Sequence, residues 1–321
     1  MEDLDRRMFD ALGALVDQLT AHVNESLSLD HMRLLMTKAQ MLLAMKSTHQ
    51  SIRHLLGLSR QQADLTVDTL ALTRVQLERC FLALLLEDNP KRWHVRYRKN
   101  AWKAFAQKFF RDQRILGGFP PYDEYFGPSG KGVGMLRDFA REMNVWEDEL
   151  QTLRAEVQGE QPDPRWSRRK IAEMPHPART PAELADPTRQ ELARLLYPYH
   201  SNLSSFSHGG LVGVMTAALL RPGFTPGGEA GFDRKTFWTR SVLETVLPNS
   251  YVAVLFVATL FAEPFLPDDP DSPLRKALLD AWCPYHRDGS ALGVALWDAW
   301  VGKVLQGGPP GAIGAKSSPG G

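Results

Sequence analysis

Leu70-Ala71-Leu72-Thr73-Arg74-Val75-Gln76-Leu77-Glu78-Arg79-Cys80-Phe81-Leu82-Ala83-Leu84-Leu85-Leu86-Glu87 is free of proline and glycine, and its apolar residues recur at helical spacing. At about 100° per residue, with Leu70 at zero, Val67, Phe81, Leu85 and Leu77 gather on an arc centred near 60°. Arg74 and Glu78 fall inside that arc, near 40° and 80°, whereas Gln76, Arg79 and Glu87 fall on the opposite side, which is expected to be solvated. An apolar helix with two opposite charges in its seam, one turn apart, reads as a core helix carrying a polar pair. Burying such a pair costs several kcal/mol per ion before compensation, so it is either a register-fixing salt bridge or part of an internal polar site.

Outward from this stretch the pattern stays helical. All 22 prolines lie at position 90 or beyond, and residues 1–89 hold two glycines, Gly13 and Gly57. Leu4, Met8, Leu12, Leu15 and Leu19 predict a helix over about 3–24, and a second over 29–56 is closed by Gly57 as a left-handed cap. Ser59 with Gln62 predicts the capping box of a third, over about 60–88. Pro90 opens a fourth, about 91–114, closed by Gly117-Gly118-Phe119-Pro120-Pro121; residues 117–132 are expected as loop and about 131–158 as a fifth helix. A proline-rich excursion covers 161–187, helical pattern returns at 188–220, 233–262, 272–282 and 290–305, and the Gly/Pro/Ser-rich tail 307–321 is expected to be disordered. The fold class is all-α, a bundle of long helices forming mainly one domain over 1–306, subdivided as 1–116, 117–187 and 188–306.

Composition excludes several classes. The chain has 321 residues, 43% hydrophobic and 23% charged, with a net charge of +1. That is a globular composition without a global electrostatic pull toward nucleic acid or membrane. Tyr251 to Ala262 is the most apolar run, bounded by Glu244, Pro248, Asn249, Glu263 and Pro264. It falls short of the roughly 20 apolar residues of a spanning helix, so no membrane insertion is expected. Cys80 and Cys283 make neither a zinc nor a redox motif, and Met1-Glu2-Asp3-Leu4-Asp5 is acidic where a secretory signal is basic; a reducing, cytoplasmic setting is expected. Glu173-Met174-Pro175-His176 has ligand spacing, but its prolines break the helix, and His49 and His54 are five apart rather than four. Neither metal nor cofactor is expected, and no P-loop, dinucleotide fingerprint or nucleophile elbow occurs.

The partner of Arg74 and Glu78 is expected in Tyr199-His200-Ser201-Asn202-Leu203-Ser204-Ser205-Phe206-Ser207-His208, where His200, Ser204, Ser207 and His208 flank an apolar seam. Ser204 and His208 stand one turn apart, and His208 precedes Gly209-Gly210 in the last turn, where the helix dipole favours imidazolium. Arg74-Val75-Gln76-Leu77-Glu78, followed about 120 residues later by Tyr199, Leu203-Ser204 and His208, resembles a bacterial family of unknown function. That family has an Arg-x-x-Leu-Glu helix and a later Tyr…Leu-Ser…His helix, and it is similar in style to the HEPN helical proteins, several of which bind or cut RNA in phage defence and toxin systems. The resemblance implies a site of Arg74, Glu78, Tyr199, Ser204 and His208, with His208 as general acid or base, Arg74 stabilising the charged phosphorane and Glu78 orienting Arg74. HEPN proteins carry their Arg and His on one helix, whereas here Ser201, Asn202 and Leu203 stand before His208 where that arginine would be.

The fourth helix bears on RNA as well. Arg92, Arg96, Lys99 and Lys103 are interleaved with Trp93, Tyr97, Trp102 and Phe105, and positive charge beside aromatic rings suits phosphate contact and base stacking. Arg165-Trp166-Ser167-Arg168-Arg169-Lys170 repeats that composition. Two functional readings follow: a HEPN-like protein that binds or cuts RNA, or a non-catalytic interaction or scaffold module whose buried polar set is structural. They differ in whether the polar set opens to solvent.

Overall fold

The structure, a computed structural model, describes residues 2–26, 28–59, 65–116, 118–127, 130–160, 170–207, 245–266, 271–286 and 290–307. Among them there is no strand, and the chain is all-α. The first four helices are α1 (Glu2–Glu25), α2 (Leu29–Ser59), α3 (Leu65–Asp88) and α4 (Pro90–Leu116). There follow α5 (Pro120–Phe126), α6 (Lys131–Glu142), α7 (Glu147–Gln158), α8 (Thr180–Glu183) and α9 (Pro187–Ser207). The last are α10 (Val246–Ala262), α11 (Pro273–His286), α12 (Ala291–Leu296) and α13 (Gly302–Gln306), with a π-helical turn at Trp297–Val301 joining the final two. The helical continuations expected at 208–220 and 233–244, and the tail from 308, lie outside the described residues.

Contacts sort the chain into two compact units, residues 1–88 with 177–321 and residues 89–176. The expected grouping of 1–116 therefore divides at Asp88. In the first unit α3 is surrounded by α2, α9 and α10, while α1 packs on α2 and α11. Every residue from Asn249 to Ala262 on α10 is buried, which explains the apolar run: the stretch Val246–Phe265 is long and apolar enough to cross a membrane, and 83% of its most apolar 18 residues are packed inside protein. Trp282 of α11 donates its indole N–H to the Thr259 hydroxyl of α10 at 2.9 Å, so both buried polar groups are satisfied.

In the second unit Trp102, Ala106, Phe109 and Phe110 of α4 pack with Leu136 and Ala140 of α6, Leu150 and Leu153 of α7, and Ile171. Two expectations are corrected here. Residues 120–126, expected as loop, are helical because Pro120 and Pro121 occupy first-turn positions where no amide hydrogen is needed. The single helix expected over 131–158 is broken: Asn144 is left-handed at φ 55°, and the Glu149 carboxylate accepts the Trp146 amide at 2.9 Å, restarting the chain as α7. Nor does Gly57 cap α2, since the helix runs through it to Ser59, and the capping box expected from Ser59 and Gln62 lies outside the described residues.

The largest correction concerns α3. Its far side is not solvated: Gln76 is buried and donates to the Met45 carbonyl at 2.7 Å, and Arg79 donates to the Ala44 carbonyl at 3.3 Å and the Thr48 hydroxyl at 2.8 Å. Glu87 is paired with Lys38 of α2, both side chains nearly inaccessible, with the ammonium 5.3 Å from the Phe261 ring centre. A buried ion pair is costly to break from one side and cheap to replace as a whole. Glu87→Ala is expected to destabilise the protein by about 3–5 kcal/mol, and Lys38→Met with Glu87→Leu to recover most of that loss. Urea denaturation of the two variants checks this.

A candidate polar site between α3 and α9

Arg74 and Glu78 point from α3 toward α9, as their place in the apolar arc requires. The Arg74 guanidinium reaches Glu78 at 2.9 Å along the same helix. The imidazole that joins them is His200, whose Nε2 lies 3.2 Å from Glu78 Oε1 and 3.4 Å from Arg74 Nε. One ring nitrogen cannot donate to the carboxylate and accept from the guanidinium at once. The shorter contact and the carboxylate's charge favour Nε2–H donating to Glu78, with Arg74 donating to the same carboxylate. The His200 bond, helped by the Arg74 charge, holds the Glu78 carboxyl below its ordinary range against an opposing effect of partial burial. The His200 ring is 1% exposed and meets the Phe81 ring edge-on at 5.8 Å; Glu78, at 39%, is the member of the cluster that reaches solvent.

The other expected site residues are placed as follows. Ser204 donates its hydroxyl to the His200 carbonyl at 3.2 Å, an intrahelical bond that steadies the turn carrying the imidazole. Tyr199 is half-buried on α9 and makes no hydrogen bond to Arg74 or Glu78 among the described residues. His208 lies outside the described residues. On α4, Arg92 and Arg96 place their guanidinium carbons 4.3 and 5.2 Å from the Trp93 ring centre, and Arg96 also donates to the Ala172 carbonyl at 3.3 Å. Lys99 is held by both oxygens of the buried Glu149 at 3.0 and 2.8 Å, and Lys103 by Glu173 at 2.8 Å. Lys99 and Lys103 are thus engaged within their own unit. The Arg165–Lys170 cluster falls outside the described residues except for Lys170. Among the described residues no three His, Cys, Asp or Glu side chains come together as ligands for an ion.

A second polar cluster was not singled out from the sequence. His49 of α2 is fully buried, with Nδ1 3.0 Å from the Ser250 hydroxyl and Nε2 3.2 Å from Asp5, which is also bridged by Arg53. Ser250–His49–Asp5 has the connectivity of a nucleophile, base and orienting carboxylate. Ser250 is 0% exposed, however, so no substrate carbonyl can approach its oxygen. The helical arithmetic applied to α3 finds this set too: Asp5 lies in the Met8–Leu12–Leu15–Leu19 stripe, and His49 follows Leu42 and Met45 on a core face.

The chain matches no protein-family profile, no curated protein and no solved structure.

Two measurements test these geometries. Glu78→Ala and Arg79→Ala are each expected to lower the urea-derived stability by about 1–3 kcal/mol, because both strand buried partners rather than trimming a solvated surface. Burial also holds the His49 imidazole down to about 4, below its ordinary 6.5. The unfolded chain therefore takes up this proton first, and stability that is complete above pH 6.5 declines as the pH falls toward 4, by about 3 kcal/mol in all. A His49→Gln variant is expected to flatten the decline between about pH 6.5 and 5, above the range where most carboxylates titrate.

Proposed function

We propose that this chain is a helical, non-catalytic interaction protein in which Arg74, Glu78 and His200 lock α3 to α9. The observation that carries the reading is burial: the His200 ring is 1% exposed and its Nε2 already faces Glu78 and Arg74. A general acid or base must bring its nitrogen within hydrogen-bond reach of a substrate atom. Here that position is filled from inside the protein, which suits a structural role. The cytoplasmic setting expected from the cysteines belongs to this reading.

A second reading, RNA binding in a defence or toxin context, is favoured by two observations on residues 89–176. That stretch holds 17 Lys and Arg against 12 Asp and Glu, while the rest of the chain holds 21 against 25. Phe105 and Phe139 meet edge-on at 5.9 Å with 45% and 36% of their surfaces exposed, giving a ring surface of the kind bases stack on. Lys91 and Arg111 are exposed cations of the same helix as Phe105.

The experiment is to incubate the purified protein with a single-stranded RNA oligonucleotide and follow fluorescence anisotropy and RNA integrity together. The interaction reading expects intact RNA and no binding at low salt. Binding that weakens by about 0.7 log units per contact per decade of salt, with a flatter slope in Lys91→Glu/Arg111→Glu, would install the second reading. RNA cleavage lost in a folded His200→Asn variant would replace both with a HEPN-like nuclease.

A further inference from the structure

The 89–176 unit contains a cavity of about 190 Å³ between α4, α7 and residues 170–173. Thr152 lines it, with a hydroxyl that is buried and has no hydrogen-bond partner. Helical threonines elsewhere in this protein donate to the carbonyl one turn back: Thr20 to Val16, Thr48 to Ala44, Thr73 to Thr69 and Thr259 to Leu255, each at 2.8 Å. Thr152 does not, and an unpaired buried hydroxyl is costly unless something else supplies its partner.

The walls say what that partner is. Glu149 is saturated by Lys99 and the Trp146 amide, so it adds no unbalanced charge. Lys103 is 18% exposed, and its partner Glu173 is 77% exposed; such a pair is weak and exchangeable. Lys170 and Glu156 form a second exposed pair at the rim. Leu153 and Ile171, both buried, supply an apolar floor.

We propose that this cavity binds a small zwitterion, an α-amino acid with a branched aliphatic side chain. Its carboxylate takes the place of Glu173 on Lys103 and accepts the Thr152 hydroxyl. Its ammonium sits against Glu156 and the released Glu173, and its side chain lies on Leu153 and Ile171. This inference is independent of the role given to His200.

The test is isothermal titration of the full chain with L-valine, L-leucine and L-isoleucine, alongside 4-methylvalerate, which lacks the ammonium, and 3-methylbutylamine, which lacks the carboxylate. At least one amino acid is expected to bind, with both charge-deleted compounds weaker by about tenfold or more. Thr152→Val, which keeps the side-chain volume, is expected to weaken binding about tenfold with an unchanged circular dichroism spectrum. Lys103→Met is expected to do the same and serves if Thr152→Val does not fold. No binding of any of the three at millimolar concentration, which would leave a water-filled cavity, overturns the proposal. So does equal affinity for either half-molecule, or unchanged affinity in a folded variant.

Discussion

Helix α3 packs against α2, α9 and α10, and most of the polar side chains along its length therefore find their partners inside the protein. Arg74 and Glu78 meet His200 of α9; Gln76 and Arg79 reach backbone and hydroxyl oxygens of α2; Glu87 pairs with Lys38 of α2. The Cys80 sulfur faces the Ala253 carbonyl of α10 at 3.7 Å, and burial pushes its thiol pKa up, so it behaves as a small core group. Apolar packing alone tolerates a helix that slides or rotates by a fraction of a turn. A helix whose polar groups have partners at fixed positions on α2 and α9 does not, because a slip of one residue parts several of them from those partners together.

That arrangement explains how far the sequence could be read. Helices α1 to α4 are legible because no proline and few glycines interrupt their periodicity, and the apolar run of α10 is legible as core because charges and prolines bound it. Arg74 and Glu78 are legible as internal because they occupy an apolar arc. What fails is the assumption that α3 has one buried face. Angular arithmetic on a single helix finds a polar residue within an apolar stripe, but it assigns the opposite side to solvent by default. Whether that side is covered depends on how α2, the preceding helix, and α10, far along the chain, pack against it, which the periodicity of α3 alone does not encode. Gln76, Arg79 and Glu87 were misplaced for that reason. The break between α6 and α7 was missed because it rests on one left-handed asparagine and one carboxylate cap, whose effect is decided by local geometry rather than by periodicity.

His200 illustrates the remaining difficulty. It belongs to the same polar strip as Ser204, and composition ranks neither above the other. Only the relative rotation of α3 and α9 decides which side chain of the strip meets Glu78, and a rotation of one residue, about 100°, would present Tyr199 instead. Residue type thus narrows the candidates, and the helix pairing selects among them.

Chemical competence and access separate in this molecule. Both clusters of the first unit, Arg74–Glu78–His200 and Asp5–His49–Ser250, contain the groups that acid–base catalysis uses, at hydrogen-bond distances, yet their imidazoles are inaccessible. The unit at 89–176 carries exposed rings at Phe105, Phe119, Phe139 and Trp146, and a cavity with an unsatisfied hydroxyl. A buried ion pair or histidine contributes register and pH-dependent stability without ever meeting a ligand, whereas exposed rings that touch one another, as Phe105 and Phe139 do, offer a partner a surface to pack on. Recognition is therefore better sought on residues 89–176 than at the histidines whose chemistry first attracts attention.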